Sequence, residues 1–511
     1  MYSLPMGILS IATSVMACVL VAVVFFFAPM QSFALPSTDS SGSLNLQPLL
    51  PAYLQPQHQG WLPPSNVELE KSHHHCYKDE WNILYHLGGN GPWIEKIDGV
   101  APGGISVPDG CEVDMVHMMS RHAERYPTKN AGNRMIEFLE RINATGRPLK
   151  GNLEFVNDWK YFTNSPGQDF EQLTTTGPYA GVLEAFTTGV KLGTRYKHLW
   201  NYSSPDVTHL WASECDRVID TARHFSAGFF GLESKSAKVV VVSEDEDRGG
   251  DTLTPGDTCK NNRDDTAKGH DNGNTQLEKF RSTYLPAIGE RLASQNPGFN
   301  FTDAEIYSMQ EMCGFETLVR GSSPWCSVFT HSEWSSFEYA RDVIHFYRSG
   351  PGNIYSRAMG WLWLNATTSL LLEGPQAAGP LYFSFVHDGD IVPMISALGL
   401  FEDAQDLPTD KILESRHWKT SQVTPMGGRV ILERLTCGTN REKWVRFNVN
   451  DGIVPLKGCS DGPGSSCSLD MFAEYVKRRG EEAGEFREVC GLPPTATAGI
   501  TFLRQPGFPK V

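Results

Sequence analysis

Glu112-Val-Asp-Met-Val-His-Met-Met-Ser-Arg-His-Ala-Glu-Arg-Tyr-Pro127 is the stretch on which the reading of this chain turns. Apolar residues dominate Glu112–Met119, as in a buried strand, and the run passes directly into Ser120-Arg121-His122. Functional residues of open α/β sheets gather beyond the carboxyl ends of strands. A guanidinium offers fixed N–H donors that match phosphate oxygens, and it does not lose its charge. Arg121 and Arg125 flanking His122 therefore describe an imidazole held against a phosphate. Neutral imidazole is a fair nucleophile at mildly acidic to neutral pH. An exposed basic helix start would carry the same letters, and R-H-x-x-R alone would be read that way. Two further clusters reverse that preference.

The first is His387-Asp388, which terminates the apolar run Leu381–Val386. A histidine there donates to phosphate, and the neighbouring aspartic acid gives a proton to a leaving alcohol. That role needs a protonated carboxyl, hence acidic pH or a raised pKa. Taken alone, Asp388 is equally well read as a helix cap. The second is Arg217. It follows a strand over Val207–Ala212 and opens a helix with the stripe Val218, Ala222, Phe225 and Phe229. A cation at a helix N-terminus opposes the macrodipole, and a bound anion would explain it. Pairing with Glu214, Asp216 or Asp220 is the alternative.

Around these clusters the pattern predicts further strands at Val239–Val242, Val430–Leu435 and Trp444–Val449. Helices are predicted over Asn130–Ile142, 174–200, Ile391–Leu400 and Leu469–Arg479, the last closed by Gly480, with mostly helical patterns over 276–372. Residues 243–275 lack periodicity and read as loop. Strand–helix units at both ends with helices between argue for an α/β domain carrying an inserted, mainly helical domain. The α/β domain is expected over 76–130, 201–260 and 375–505, and the helical one over 131–200 and 261–374.

The 511 residues are 40% hydrophobic and 20% charged, with a formal net charge of -15. Such an acidic surface repels nucleic acid and anionic membrane, while local arginines still favour an anionic substrate inside a cleft. Gly7–Ala28 is nearly all apolar, and Ser32-Phe33-Ala34 resembles a cleavage site, so residues 1–34 read as a signal peptide. An uncleaved anchor is the alternative, because the run is long enough to span a bilayer. Residues 35–75 are rich in Ser, Pro, Gln and Leu and read as an irregular arm. His73-His74-His75 reads as a solvated run rather than a metal site. Eleven cysteines leave ten once Cys18 goes with the signal, and Asn143, Asn201, Asn300 and Asn365 head glycosylation sequons. Together these point to secretion.

Arg121-His-Ala-Glu-Arg-Tyr-Pro127 and His387-Asp-Gly-Asp390 resemble the R-H-G-x-R-x-P and H-D signatures of the histidine acid phosphatase family, in particular fungal secreted acid phosphatases and phytases. Asp251-Thr-Leu-Thr-Pro-Gly-Asp-Thr-Cys259, Cys313-Gly-Phe-Glu-Thr317, Phe329-Thr-His-Ser-Glu-Trp334 and Glu338-Tyr339 belong to the same set, and the resemblance spans roughly residues 76–500. It implies a phosphoglycerate-mutase-like α/β sandwich with a smaller helical domain and a site between them. It also implies that His122 is the nucleophile, that Arg121, Arg125, Arg217 and His387 bind the phosphate, and that Asp388 is the proton donor. No metal and no organic cofactor are implied. The resemblance suggests disulfides Cys111–Cys437, Cys259–Cys490, Cys313–Cys326 and Cys459–Cys467, with Cys76 and Cys215 left to pair. Ala123 departs from the family glycine; a positive φ there would strain alanine by roughly 1 kcal/mol.

Rival readings are weaker. There is no G-x-S-x-G, H-E-x-x-H or P-loop. A non-catalytic relative that only binds phosphate compounds would be expected to lack His122 or Asp388. A membrane-anchored surface phosphatase differs only in the fate of residues 1–34. Small phosphomonoesters are the expected partners, and a homo-oligomer is left open. Phytate would call for more cations than the clamp supplies; Lys129 is one candidate, though a solvated lysine is the plainer reading. Broad activity that includes phytate is the expectation.

Overall fold

Met118 and Met119 on one strand, and Phe385 and Val386 on another, carry apolar side chains on both faces, so each strand must be covered on both sides. The computed structural model describes residues 81–200, 207–232 and 235–508, and places these two strands together inside one mixed sheet. Its strands are β1 (Cys111–Arg121), β2 (Thr208–Ser213), β3 (Ala237–Val242), β4 (Leu381–Val386), β5 (Arg429–Cys437), β6 (Glu442–Val449), β7 (Gly452–Ile453) and β8 (Cys467–Ser468). The order is β3-β2-β4-β1-β5-β6-β7, with β8 on β6. The first four strands run parallel, β5 returns antiparallel along β1, and β6 along β5. Arg121 lies opposite Val386 in the β1–β4 register, so His122 and His387 leave adjacent strand ends together. The His122 N–H donates to the Val386 carbonyl at 2.9 Å and fastens the two ends.

The longer helices are α1 (Lys129–Ala144), α2 (Gly181–Tyr196), α3 (Asp216–Phe230), α4 (Asn272–Arg281), α5 (Leu285–Gln295), α6 (Asp303–Arg320), α7 (His331–Arg348), α8 (Ser356–Glu373), α9 (Asp388–Leu398) and α10 (Leu469–Ala483). One sheet face packs Val116, Met118, Leu210, Phe383 and Phe385 against Leu192, Tyr196, Phe225 and Phe229 of α2 and α3. Those two helices touch backbone to backbone. A Cβ at Gly189 would sit 2.1 Å from the Phe225 carbonyl oxygen, and one at Gly228 2.1 Å from that of Phe186. The opposite face buries Trp211, Tyr382 and Val386 in a core shared with α8, α9 and α10. Between β3 and β4 the described chain holds helices and loops only. There α6 and α7 begin with full capping boxes, Thr302 with Glu305 and Thr330 with Glu333, each satisfying two otherwise orphaned N–H groups.

Several expectations shift. The helix expected over 174–200 starts only at Gly181, after a turn in which Gly177 takes φ 81°. It packs on the sheet with α3, so residues 131–200 do not all join the helical part. Within 243–275, expected to be loop, lie the short helices Pro255–Thr258 and Lys260–Asp264 and the start of α4. Their buried residues over this stretch include Thr258, Asn262 and Asn272, with Asn262 accepting from the Asn353 amide at 2.9 Å, so no apolar period marks them. The last helix passes through Gly480 and ends at Gly484, φ 82°. Gly480 serves packing instead, since a Cβ there would lie 2.5 Å from the Trp361 ring.

Cys111–Cys437, Cys259–Cys490, Cys313–Cys326 and Cys459–Cys467 are bonded. Cys215 has no disulfide partner among the described residues, and Cys76 lies outside them. The expected signal at 1–34, the arm at 35–75, His73-His74-His75 and Asn201 also lie outside them. Asn143, Asn300 and Asn365 are exposed. Among the described residues no helix is long and apolar enough to cross a membrane.

A buried ion network ties α2 to the sheet. The Glu433 carboxylate, fully enclosed on β5, accepts from Tyr196 at 2.6 Å, Arg195 at 2.8 Å and Arg446 at 2.6 Å. Burial alone would raise its pKa, but Arg195 and Arg446 outweigh that and hold it below the ordinary value. Breaking such a set strands two buried guanidiniums, so Glu433→Ala should cost about 3 kcal/mol in denaturant unfolding at neutral pH. Because the folded pKa is depressed, the stabilisation is present above the ordinary glutamate range and is lost as the pH falls through the folded value. The gap between wild type and variant should therefore narrow in acid. A gap under about 0.5 kcal/mol at neutral pH would contradict the assignment.

Candidate active site

Three parallel strands end on one side of the sheet, and each delivers charge there. β1 supplies Arg121 and His122, with Arg125 in the loop behind. β4 supplies His387, with Asp388 as the first residue of α9. β2 leads into Arg217 at the start of α3. All six line one cavity of about 1220 Å³ between the strand ends and the helical wall.

Arg121 is 1% exposed. Its Nη1 donates to the carbonyls of Gly89 and Thr424, both at 2.9 Å, and its Nη2 lies 3.2 Å from Asp388 Oδ2. Arg125 Nη1 donates to the Tyr126 carbonyl at 2.8 Å. Arg121, Arg125 and Arg217 each keep a buried Nε–H that no protein group accepts. An anion held among the three guanidiniums would supply acceptors.

The two imidazoles are oriented by what faces them. His122 Nδ1 lies 2.8 Å from the Ala123 carbonyl, which can only accept, so Nδ1 carries the proton and Nε2 is left with its lone pair free. Arg217 Nη2 donates to His387 Nδ1 at 3.2 Å, leaving His387 Nε2–H to donate to Glu244 Oε1 at 3.1 Å. Burial lowers the pKa of His122 far below the ordinary histidine value, and Arg121, Arg217 and Arg125 push it further. Both effects favour the uncharged ring, whose Nε2 lone pair is free. Burial, then Arg217 and Arg121, bring Arg125 down to about 9, so it stays cationic throughout the acid range.

Of the two conditions named for Asp388, acidic pH or a raised pKa, the resting site does not supply the second. Burial alone would raise it, but Arg121, His345, His122 and Arg125 prevail and hold it well below the usual carboxylate range. Ala123 is accommodated in place of the family glycine: its φ is not positive, its N–H donates to Thr221 Oγ1 at 3.0 Å, and its methyl packs against Leu173 and Ala185. Lys129 is exposed, faces Glu171 at 3.9 Å and does not line the cavity.

Several site residues escape the sequence reading. Glu244 orients His387, and its place just past the apolar run of β3, the sheet's edge strand, was a readable signal. Asp390 accepts from the His387 N–H at 3.1 Å, and burial and Asp257 push its pKa well up. The helical wall adds Arg134, Arg281, Arg341, His345 and Arg348. Arg341, His345 and Arg348 are spaced i, i+4 and i+7, which puts them on one face of α7. In all, eight arginines, eight carboxylates and four histidines line the cavity, so the charge of -15 on the whole chain does not extend into it.

A neutral imidazole at a strand end, ringed by arginines and facing a His-Asp pair, defines a histidine phosphatase site. The model of the histidine phosphatase superfamily (branch 2) matches residues 112–450, and the chain belongs to that family. It is 35% identical to a phytase of Candida albicans over 83% of its own length and 90% of that protein. It is 35% identical to an acid phosphatase of Komagataella pastoris over 82% of its length and 88% of that one. It superimposes on the crystal structure of the phytase from D. castellii with a TM-score of 0.76 at 31% identity, covering 83% of this chain and 90% of that one. The chain is thus a hydrolase of the acid phosphatase and phytase group.

The charge analysis predicts that the His122 ring stays neutral at pH 5, where a free imidazole is protonated. Histidine-selective NMR should show no His122 titration near the ordinary value of about 6.5. A titration there would contradict the electrostatic picture.

Proposed function

We propose that the protein is a secreted phosphatase that hydrolyses phosphomonoesters, phytate among them, through a phosphohistidine. The observation that carries this reading is the bond from His122 Nδ1 to the Ala123 carbonyl, which frees Nε2 amid Arg121, Arg125 and Arg217. Nε2 attacks phosphorus, an N–P bond forms, the P–O ester bond breaks, and the leaving oxygen takes a proton from Asp388. Water then cleaves the N–P bond, with Asp388 taking its proton.

Asp388 is held ionised by Arg121, so the donor must first gain a proton. A bound phosphate competes for Arg121 and adds negative charge nearby, and both effects raise a carboxyl pKa. Low pH works in the same direction and makes the cavity more positive, since Asp257 and Asp390 are already shifted toward their neutral forms. Phytate in the substrate range is supported by the cavity's size, by the arginines on the helical wall and by the relatives named phytase. The four disulfides support an oxidising destination.

Asp388→Asn tests the mechanism through the leaving group. Hydrolysis of alkyl phosphates and phytate should fall by roughly a hundredfold or more, and that of an activated aryl phosphate far less. Equal loss on both would remove Asp388 as the acid. With the wild type, turnover of phytate and of a simple aryl phosphate should both appear between about pH 2 and 6. No phytate turnover across that range would restrict the substrates to simpler esters.

A further inference from the structure

The chain at Trp81–Gly91 precedes the residues that the family model matches, yet it forms part of the cavity. It runs as two 3-10 turns, Ile83–His86 and Gly88–Asn90. Three successive residues of the second turn meet two arginines that come from opposite sides of the site. Gly88, at φ 58°, lies flat on the Arg341 stem, where a Cβ would sit 2.4 Å from Arg341 Cβ. The Gly89 carbonyl accepts from Arg121 Nη1 at 2.9 Å. Asn90 Oδ1 accepts from Arg341 Nη2 at 3.4 Å, while its amide faces Glu311 Oε1 at the same distance. Arg121 belongs to the sheet and Arg341 to α7, so this turn is a direct mechanical link between the two walls.

The other end is pinned by stacking. The Trp81 indole lies between His86 (ring centroids 3.7 Å apart, planes 3° apart) and His331 of α7 (4.2 Å, 8°). His86 Nδ1 also reaches Glu338 Oε2, on the same helix, at 2.5 Å. Trp81 is 37% exposed and touches no residue of the phosphate clamp. An indole held between two rings at the surface fixes where the chain that follows it runs.

We infer that Trp81–Gly91 is a positioning strap that sets the separation of Arg121 and Arg341, with the Trp81 stack as its anchor. The inference rests on the reading of Arg121 as a phosphate ligand. A strap with this role acts on phosphate affinity rather than on the chemical step. Releasing it lets both guanidiniums wander, which weakens charge-assisted hydrogen bonds to a bound phosphate.

The full chain tests this as wild type, Trp81→Ala, Trp81→Phe and Asn90→Ala. The measurements are kcat and KM for an aryl phosphate, the inhibition constant of inorganic phosphate, and the thermal midpoint. Both alanine variants should raise KM and the inhibition constant about tenfold, the loss of roughly one charge-assisted hydrogen bond, with kcat changed by less than about threefold. Trp81→Phe keeps a flat ring in the stack and should restore both constants to within about twofold of wild type. Wild-type constants in both alanine variants would overturn the strap, as would a lowered thermal midpoint with KM unchanged. His122→Ala, run alongside, separates the two claims. If it is dead while the strap variants match wild type, only the strap fails. If it turns over, the reading of the site fails and the strap with it.

Discussion

Three guanidiniums crowded around one imidazole repel each other, and the site is organised around how that repulsion is relieved. Burial, reinforced by Arg121, Arg217 and Arg125, drives His122 toward its neutral form, and burial with Arg217 and Arg121 pulls Arg125 down to about 9. Within the protein, Asp388 supplies the nearest relief through its 3.2 Å contact with Arg121. A phosphate brings more negative charge and more acceptor atoms than one carboxylate, so it takes over that role. In the proposed mechanism the residue it displaces is the one that becomes the acid. Binding and proton donation are in this way one electrostatic event.

The sheet makes the crowding possible. Parallel pairing of β1 with β4, in a register that sets Arg121 beside Val386, forces His122 and His387 out of adjacent strand ends. Burial on both faces leaves those ends little freedom. The network at Glu433 and the glycine contacts between α2 and α3 hold the layer that covers them. The strap from Trp81 to Gly91 extends the same logic to the helical wall.

Much of this was legible because the chemistry lies where strands end. The apolar run Leu381–Val386 is β4 residue for residue, and Arg121, His122, Arg125, Arg217, His387 and Asp388 line one cavity. What stayed hidden depends on contacts between distant segments. Gly89 and Asn90 carry no local sign that they hold Arg121 and Arg341. Asp390 drew no reading of its own, and only its burial, with Asp257 and Glu244 nearby, reveals its shifted proton affinity. The choice between acidic pH and a raised pKa for Asp388 was not readable, because burial and an arginine act in opposite directions and their balance is geometric. The glycine of the family motif does not by itself show a positive φ, and Ala123 fits here without one. The α7 cations, spaced i, i+4 and i+7, were open to a reader who looked for a charged helical face rather than an apolar one.

The covalent step is the centre of this account, and rapid quenching tests it directly. The enzyme is mixed with a labelled phosphomonoester and stopped within a turnover in alkaline denaturant, where an N–P bond survives, and the labelled peptide is then sequenced by mass spectrometry. Label on the His122 ring, appearing and decaying at rates that match turnover, is the predicted result. Continued hydrolysis with no label ever reaching that ring would contradict it.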